Sequence, residues 1–258
     1  MHRFFLAQER ISNNIVIFPQ ETVHQIRNVL RLKLGNIVLV LDNKGDLFEV
    51  KLQSIELETA HGEILSKRKA EGEPRIFLSL YVSLIQRDKF EFILQKCTEA
   101  GVGSFMPFIS RYSLVRNSHM SASRKIRWER ILKEAAEQSG RGVIPILSPV
   151  QHLNQAIETA CAEHAVYLAT WEGEKRYSLT DVILPVREKM KAVSETPHIT
   201  LFIGPEGGFM DSEVQMFHER GIKTFSLGER ILRMETAAII APALILYELG
   251  DLNPLKNA

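Results

Sequence analysis

From Pro74 onward the chain alternates short apolar segments with amphipathic ones, and that alternation narrows the fold more than any other feature. Ile76 to Ile85, Phe105 to Ile109, Ala165 to Ala169, Ile199 to Ile203 and Thr224 to Leu227 read as strands. Arg87 to Ala100 reads as a helix with Phe90, Ile93, Leu94 and Cys97 on one face, and Gly101 stops it. Ser121 to Ser139 is a second amphipathic helix, with Trp128, Ile131, Leu132, Ala135 and Ala136 inward and its bases outward. Asp211 to Arg220 is a third, ended by Gly221. Glu235 to Leu249 is apolar nearly all round, which places it in a core or a subunit interface; Pro242 within it predicts a kink or a late start. Strands alternating with helices imply an α/β domain with a parallel sheet, whose ligands bind at the carboxyl ends of the strands.

The N-terminal part has another rhythm. Asn14 to Phe18, Ile37 to Leu41 and the stretch Leu47 to Leu65 form β-branched or alternating segments, separated by turn signals such as Asp42-Asn43-Lys44-Gly45-Asp46. One helix-like break, Glu21 to Leu32, is followed by Gly35. Short strands around one helix predict a small β-barrel over residues 1–72. The polar run Lys67 to Pro74 marks its end and leaves 73–258 as the second domain.

Two runs in that second domain carry the chemistry: Ile203-Gly-Pro-Glu-Gly-Gly208, and Leu227-Gly-Glu-Arg-Ile-Leu-Arg-Met-Glu-Thr-Ala237. Each follows an apolar segment and precedes a helix. Bare backbone at the end of a strand lets a flat ligand approach and offers N–H and C=O groups for adenine-type recognition. Either run alone reads as a tight strand-to-helix turn; both on consecutive units point to a ligand crevice. Neither matches the dinucleotide spacing G-x-G-x-x-G, and no phosphate-loop motif is present.

Composition excludes several classes. No apolar run approaches the roughly 18 residues of a membrane span, and the N-terminus is too poor in apolar residues for a signal peptide. Cys97 and Cys161 fit neither a disulfide framework nor a metal site, so a reducing cytoplasm is the expected compartment; Cys97 reads as a packing residue. The histidines are scattered without ligand spacing, and no metal is expected. The net charge of +1 hides segregation: Ser110 to Lys133 holds seven bases against one acid, whereas Val150 to Ile222 holds six bases against eleven acids. The basic stretch is a candidate phosphate-binding surface.

With both glycine runs in view, the sequence resembles the SPOUT methyltransferases, and more narrowly the bacterial 16S ribosomal RNA uridine-N3 methyltransferases. Further runs support this: His24-x-x-x-x-Val29-Leu30-Arg31, Gln95-Lys-Cys-Thr-Glu-Ala-Gly-Val102, and Glu134-Ala-Ala-Glu-Gln-Ser-Gly-Arg141 before Pro145. Ala100 stands where the pattern has Leu, and Met234 where it often has Thr. The resemblance implies an N-terminal PUA-like barrel that binds RNA and a C-terminal domain with a deep trefoil knot, an exception to the rule against knots. It also implies S-adenosylmethionine as cofactor, 16S ribosomal RNA of the small subunit as partner, and a homodimer.

Site residues follow from combining the two readings. Cofactor contacts are expected from Ile203, Gly204, Glu206, Gly207, Gly208, Ser226, Leu227 and Gly228, and from the loop after Leu168. Ile231 and Leu232 would wall the adenine. Arg233 is expected to stabilise negative charge on the base, because arginine stays charged and presents paired donors; it could instead pair with Glu235 or Glu206 and fix the loops. Glu235 could accept a proton, position Arg233 or favour the start of the last helix. Arg3, Arg27, Arg31, Arg116, Arg124, Arg127 and Arg141 are the candidate RNA contacts, with Gln138 beside Arg141. Two rival readings are a SPOUT enzyme acting on ribose 2′-O or another base, and a non-catalytic RNA-binding module.

Overall fold

The computed structural model describes residues 1–115, 120–162, 165–192 and 197–252. The chain divides into two compact units, Met1–Glu73 with Lys133–Ile144, and Pro74–Leu132 with Pro145–Ala258.

The first unit is built on a six-stranded sheet. Its strands are β1 (Arg3–Phe5), β2 (Ile11–Ser12), β3 (Ile15–Phe18), β4 (Ile37–Leu41), β5 (Asp46–Ile55) and β6 (Ala60–Lys69), in the order β1-β4-β5-β6-β3-β2. Val16, Phe18, Val38, Val40 and Val50 alternate inward along them and exclude water from one core. The β4–β5 turn forms where the sequence signals it: Asp42 Oδ1 accepts the N–H groups of Lys44 (2.8 Å) and Asp46 (3.0 Å). The helix-like break is shorter than expected, because α1 (Gln20–His24) runs into a π-helical turn over Gln25–Val29 and the chain leaves at Arg31 with φ 52°. The segment 133–144 completes this unit. Ala136 joins its core, and Glu137 accepts the Phe5 N–H at 2.9 Å. Burial pushes the Glu137 carboxyl above its ordinary range.

The second unit holds a seven-stranded, wholly parallel sheet. Its strands are β7 (Phe77–Ser83), β8 (Ser104–Ile109), β9 (Ile146–Leu147), β10 (Gln151–His152), β11 (Val166–Thr170), β12 (His198–Ile203) and β13 (Lys223–Phe225). They run β10-β8-β7-β12-β11-β13, with β9 also on β8. Between them lie α2 (Arg87–Ala100), α3 (Ala122–Ser139), α4 (Leu153–Cys161), α5 (Leu179–Ala192) and α6 (Asp211–Glu219), and α7 (Met234–Glu248) follows β13. β7 and β12 are continuous buried runs, as a sheet covered on both faces requires. Because β12 inserts between β7 and β11, the carboxyl ends of β11, β12 and β13 lie side by side at a point where strand order switches.

Pro242 neither delays α7 nor ends it. A proline has no N–H to give the carbonyl four residues earlier, so Ala238 O would be left without its helical donor. The Cys97 thiol of α2 donates to that oxygen at 3.2 Å. Cys97 therefore does more than pack. The helix buries Ala238, Ala241, Ile245 and Leu246, while Ile240, Leu244 and Tyr247 face outward at 37, 40 and 57 % exposure.

Candidate functional site

Loops leaving β11, β12 and β13 surround a cavity of about 390 Å³. Thr170, Trp171 and Glu172 come from the first, Ile203 to Glu206 with Gly208 and Phe209 from the second, and Leu227 to Glu235 from the third. Lys89 of α2 and Ala237 of α7 complete the wall.

The loop after β12 is tightly held. Gly208 N donates to Pro205 O at 2.9 Å. Gly208 sits at φ +71°, so the backbone angle favours glycine, and a Cβ there would lie 2.5 Å from Glu172 Oε1 and displace that exposed side chain. Downstream, Glu213 accepts Met210 N at 2.9 Å and Arg111 N at 3.0 Å, which fixes the entry into α6.

The loop after β13 is held mainly at its ends. Ser226 Oγ accepts Gly228 N at 3.1 Å and donates to Gly228 O at 3.2 Å. Gly228 has φ +109°, yet nothing lies within 4 Å of its would-be Cβ, so only the backbone angle demands glycine. Ile231 is 88 % exposed, an apolar side chain without an apolar partner at the cavity wall. Arg233 caps the start of α7 through its carbonyl, which accepts Ala237 N at 2.9 Å.

Glu235 does not pair with Arg233. Its Oε1 meets Lys89 Nζ at 3.2 Å, and its Oε2 is buried without a hydrogen-bond partner. Burial opposes ionisation of this carboxyl, but the backbone N–H at the helix start, Lys89 and Arg233 together outweigh it and hold the pKa below the ordinary range. Arg233 is exposed and makes no ion pair among the described residues, so its donors remain available at the cavity. The site thus presents two cations, Arg233 and Lys89, beside an ionised carboxylate.

Most expected cofactor residues line this cavity: Ile203, Gly204, Glu206, Gly208, Leu227, Gly228, Ile231 and Leu232, with Arg233 and Glu235. Three of the expected residues lie outside the lining. Leu168 is fully buried inside β11, and the wall comes from Thr170 to Glu172 beyond it. Gly207 faces Tyr112, whose Cβ would lie 3.0 Å from a Cβ at that glycine. Ser226 braces Gly228 and lies outside the lining. Lys89 and Phe209 were not foreseen, and Trp171 and Glu172 were expected only as part of the loop after Leu168. Trp171 and Glu172 follow a strand end, a signal open to inspection; Lys89 stands in the first turn of a helix with nothing in its local pattern to mark it.

The expected RNA contacts fare differently. Arg141 is 3 % exposed. Its guanidinium donates to both Glu73 oxygens, at 3.2 and 2.8 Å, while Gly142 N and Val143 N bind the same carboxylate, so it braces a turn and is withdrawn from the surface. Arg127 is committed to Glu91 at 2.6 and 2.7 Å, and with Arg87 it holds that carboxyl below its usual range. Arg124 lies over the Trp128 ring at 5.9 Å. Arg3 is half-buried against Gly140, at the carboxyl end of α3 where a cation is favoured. Arg27 donates to Glu56 O at 3.1 Å, Arg31 is exposed, and Arg116 lies outside the described residues. Among the described residues no cluster of His, Cys, Asp or Glu is placed to hold a metal, and no helix is long and apolar enough to cross a membrane.

Comparison with known proteins bears on the whole chain. A family model described as an RNA methyltransferase domain matches residues 72–246, and one described as an RNA methyltransferase PUA domain matches residues 18–65. The chain is 31 % identical to ribosomal RNA small subunit methyltransferase E of Bacillus subtilis, over 88 % of each chain. It is 32 % identical to the protein of that name from Mesomycoplasma hyopneumoniae, over 93 % of this chain and 96 % of the other. The crystal structure of the Neisseria gonorrhoeae methyltransferase E bound to S-adenosylmethionine superposes with a TM-score of 0.85 at 30 % identity, over 98 % of this chain and 99 % of that one. With a barrel of the PUA class, a parallel sheet whose switch point carries the cavity, and matches that span both units, the chain belongs to the RNA methyltransferase family of the ribosomal RNA small subunit methyltransferases E.

Proposed function

We propose that this enzyme transfers the methyl group of S-adenosylmethionine to the N3 atom of a uridine in 16S ribosomal RNA of the small subunit. The observation that carries the reading is the cavity at the ends of β11, β12 and β13. There two glycine loops present bare backbone, Arg233 stands free to meet negative charge, and Lys89 is held beside it by Glu235. The lining fits the cofactor: Ile231, Leu232 and Phe209 offer apolar contact to an adenine, Gly204 and Gly208 leave room for close approach, and Glu172 and Glu206 offer carboxylates to its positive groups.

The cofactor, when bound, supplies an electrophilic methyl on a sulfonium, and the chain must supply a nucleophile aimed at it. Uridine N3 bears a proton at neutral pH, so the site has to hold the base, let that proton leave, and stabilise charge spreading onto O2 and O4. Arg233 meets that charge with paired donors. Glu235, ionised and one oxygen unpartnered, positions Lys89 and accepts a donor at the cavity edge. The structure's own groups thus account for charge stabilisation better than for proton removal, since a carboxylate held low in pKa is a weak base.

Residues 1–72 serve as the RNA-binding PUA-like domain and 73–258 as the catalytic domain. The C-terminal loops of the catalytic domain form a deep trefoil knot, as the resemblance to the SPOUT methyltransferases implies. Two copies pair through the outward face of α7, where Ile240, Leu244 and Tyr247 would otherwise stay wet. The enzyme works in the reducing cytoplasm, with both cysteines as free thiols.

Tritium transfer from labelled cofactor into naked 16S ribosomal RNA, small subunits and intact ribosomes, followed by mass analysis of the nucleosides, tests the reading. N3-methyluridine is the expected product. A 2′-O-methylated nucleoside would replace the target atom, and absence of both transfer and cofactor binding would leave an RNA-binding module.

A further inference from the structure

The second unit contains another cavity, of about 670 Å³, and Trp171 lines both. Thr224 of β13 is buried at this second cavity, and its hydroxyl donates to Glu174 Oε2 at 2.6 Å. A hydroxyl has one proton, so His218 Nε2, 3.1 Å away, is the donor to Thr224. Glu174 Oε1 accepts Arg176 N at 2.8 Å, and the backbone N–H groups of Lys175 and Tyr177 also bind this carboxylate. Glu174 therefore winds residues 174–177 into a fixed loop at the cavity. The other lining acid, Asp181, is engaged by Ser178 N at 2.8 Å and Ser178 Oγ at 2.6 Å. Glu174 is thus satisfied by the protein itself, while Asp181 is engaged through Oδ2 alone.

What else remains to be satisfied is positive and aromatic. Lys175, Arg176 and Lys223 line the cavity, are exposed, and make no ion pair among the described residues. The Tyr177 ring is 54 % exposed beside them. Cations that track a backbone, with an aromatic face for a base, form the pattern that binds single-stranded nucleic acid without reading its sequence. Unstacked single strands are also the form in which an RNA base can be offered to an enzyme.

We infer that this cavity holds the nucleotide next to the target uridine, its phosphate oxygens on Lys175, Arg176 and Lys223 and its base against Tyr177. The inference rests on RNA being the substrate, as proposed above. Trp171 then separates a cofactor pocket from an RNA pocket, and the loop after β11 serves both: Glu172 faces the first and Lys175 to Tyr177 the second.

Fluorescence anisotropy with single-stranded oligouridylate, repeated across salt concentrations, tests the assignment. The variant Lys175→Ala/Arg176→Ala/Lys223→Ala should lose about tenfold or more in RNA affinity at low salt. Its log–log salt slope should fall by about 0.7, as one released phosphate contact on a single strand requires. Calorimetric binding of S-adenosylmethionine should not change. Tyr177→Ala should lose affinity at an unchanged slope, and Tyr177→Phe should restore it. Unchanged affinity and slope in the triple variant overturn the inference. So does RNA affinity that survives while uridine monophosphate binding is lost, which would assign a free nucleotide, or while the dimer dissociates, which would assign a protein contact. Failure of the methyl-transfer reading appears elsewhere, as absence of tritium transfer by the unaltered enzyme, because affinity is read without turnover.

Discussion

The two glycine loops look alike in sequence, and the structure shows that they are built on different terms. The loop after β12 is enclosed: Gly208 is fixed by Pro205 O and by its positive φ, with the Glu172 carboxylate close over it. The loop after β13 is open: Gly228 touches nothing where a Cβ would stand, and Ile231 extends into solvent. The first loop is a finished half of the pocket before ligand arrives. The second has its ends fixed, by Ser226 and by the start of α7, and leaves its middle to be covered by what binds. A glycine motif therefore reports that backbone is presented, without reporting how firmly.

The sharpest way to break this contrast is at the far end of the open loop. Arg233→Ala should lower methyl transfer about 10²–10³-fold, the usual cost of removing one charge-stabilising donor, with cofactor affinity and dimerisation kept. Retained single-turnover rates would take Arg233 out of that role. Next in size come the glycines. Gly208→Val should abolish cofactor binding in calorimetry, since the backbone angle opposes a β-branched residue and its side chain would push Glu172 out of place. Gly228→Ala meets only a backbone penalty of about 1–3 kcal/mol and should weaken binding to a matching degree. Equal losses at Gly208→Ala and Gly228→Ala would erase the distinction between the loops.

Glu235 gives a smaller effect with a definite pH signature. Its folded pKa lies below the ordinary value, so its stabilisation is fully present above the ordinary carboxylate range and is lost as pH falls through the folded value. Glu235→Gln should therefore melt earlier than the unaltered protein at neutral pH and converge with it in acid. A gap that widens on acidification would reverse the assignment. The smallest effect on stability belongs to Ile231→Ser, which should leave the melting temperature unchanged because the side chain is already wet, while cofactor affinity falls. Unaltered affinity would remove Ile231 from the pocket wall.

Much of the architecture was legible in the sequence because it rests on period and punctuation. The buried runs of β7 and β12, the stop of α2 at Gly101 and the Asp42 turn all act locally, and local chemistry is what a sequence displays. α4 and α5 were not placed individually; α5 carries Pro185 inside it, which masks a helix from a reading that takes proline as a boundary. The return of residues 133–144 to the first unit depends on Glu137 meeting Phe5 N and on Arg141 meeting Glu73, pairings far apart in the chain. The cofactor wall was legible through its glycines, whereas Lys89 enters it from a distant helix. The basic run overstated the number of available cations for a physical reason. Counting charges cannot tell that Arg127, within the basic run, and Arg141, beyond it, already have carboxylate partners, and two of the three cations left available at the second cavity, Lys175 and Arg176, lie within the stretch whose overall charge is negative.

Cys97 turns the end of the enzyme into its own clock. Its thiol is buried, burial pushes its pKa up, and its proton is given to Ala238 O, so an alkylating reagent can reach it only when α2 and α7 part. Cys161, half-buried at the end of α4, gives an earlier-reacting reference in the same molecule. The lag between the two labelling rates would time the opening of the helix that carries Arg233 and Glu235, with no dye, tag or substrate added. A ligand that joins the open loop to its closed neighbour should lengthen that lag.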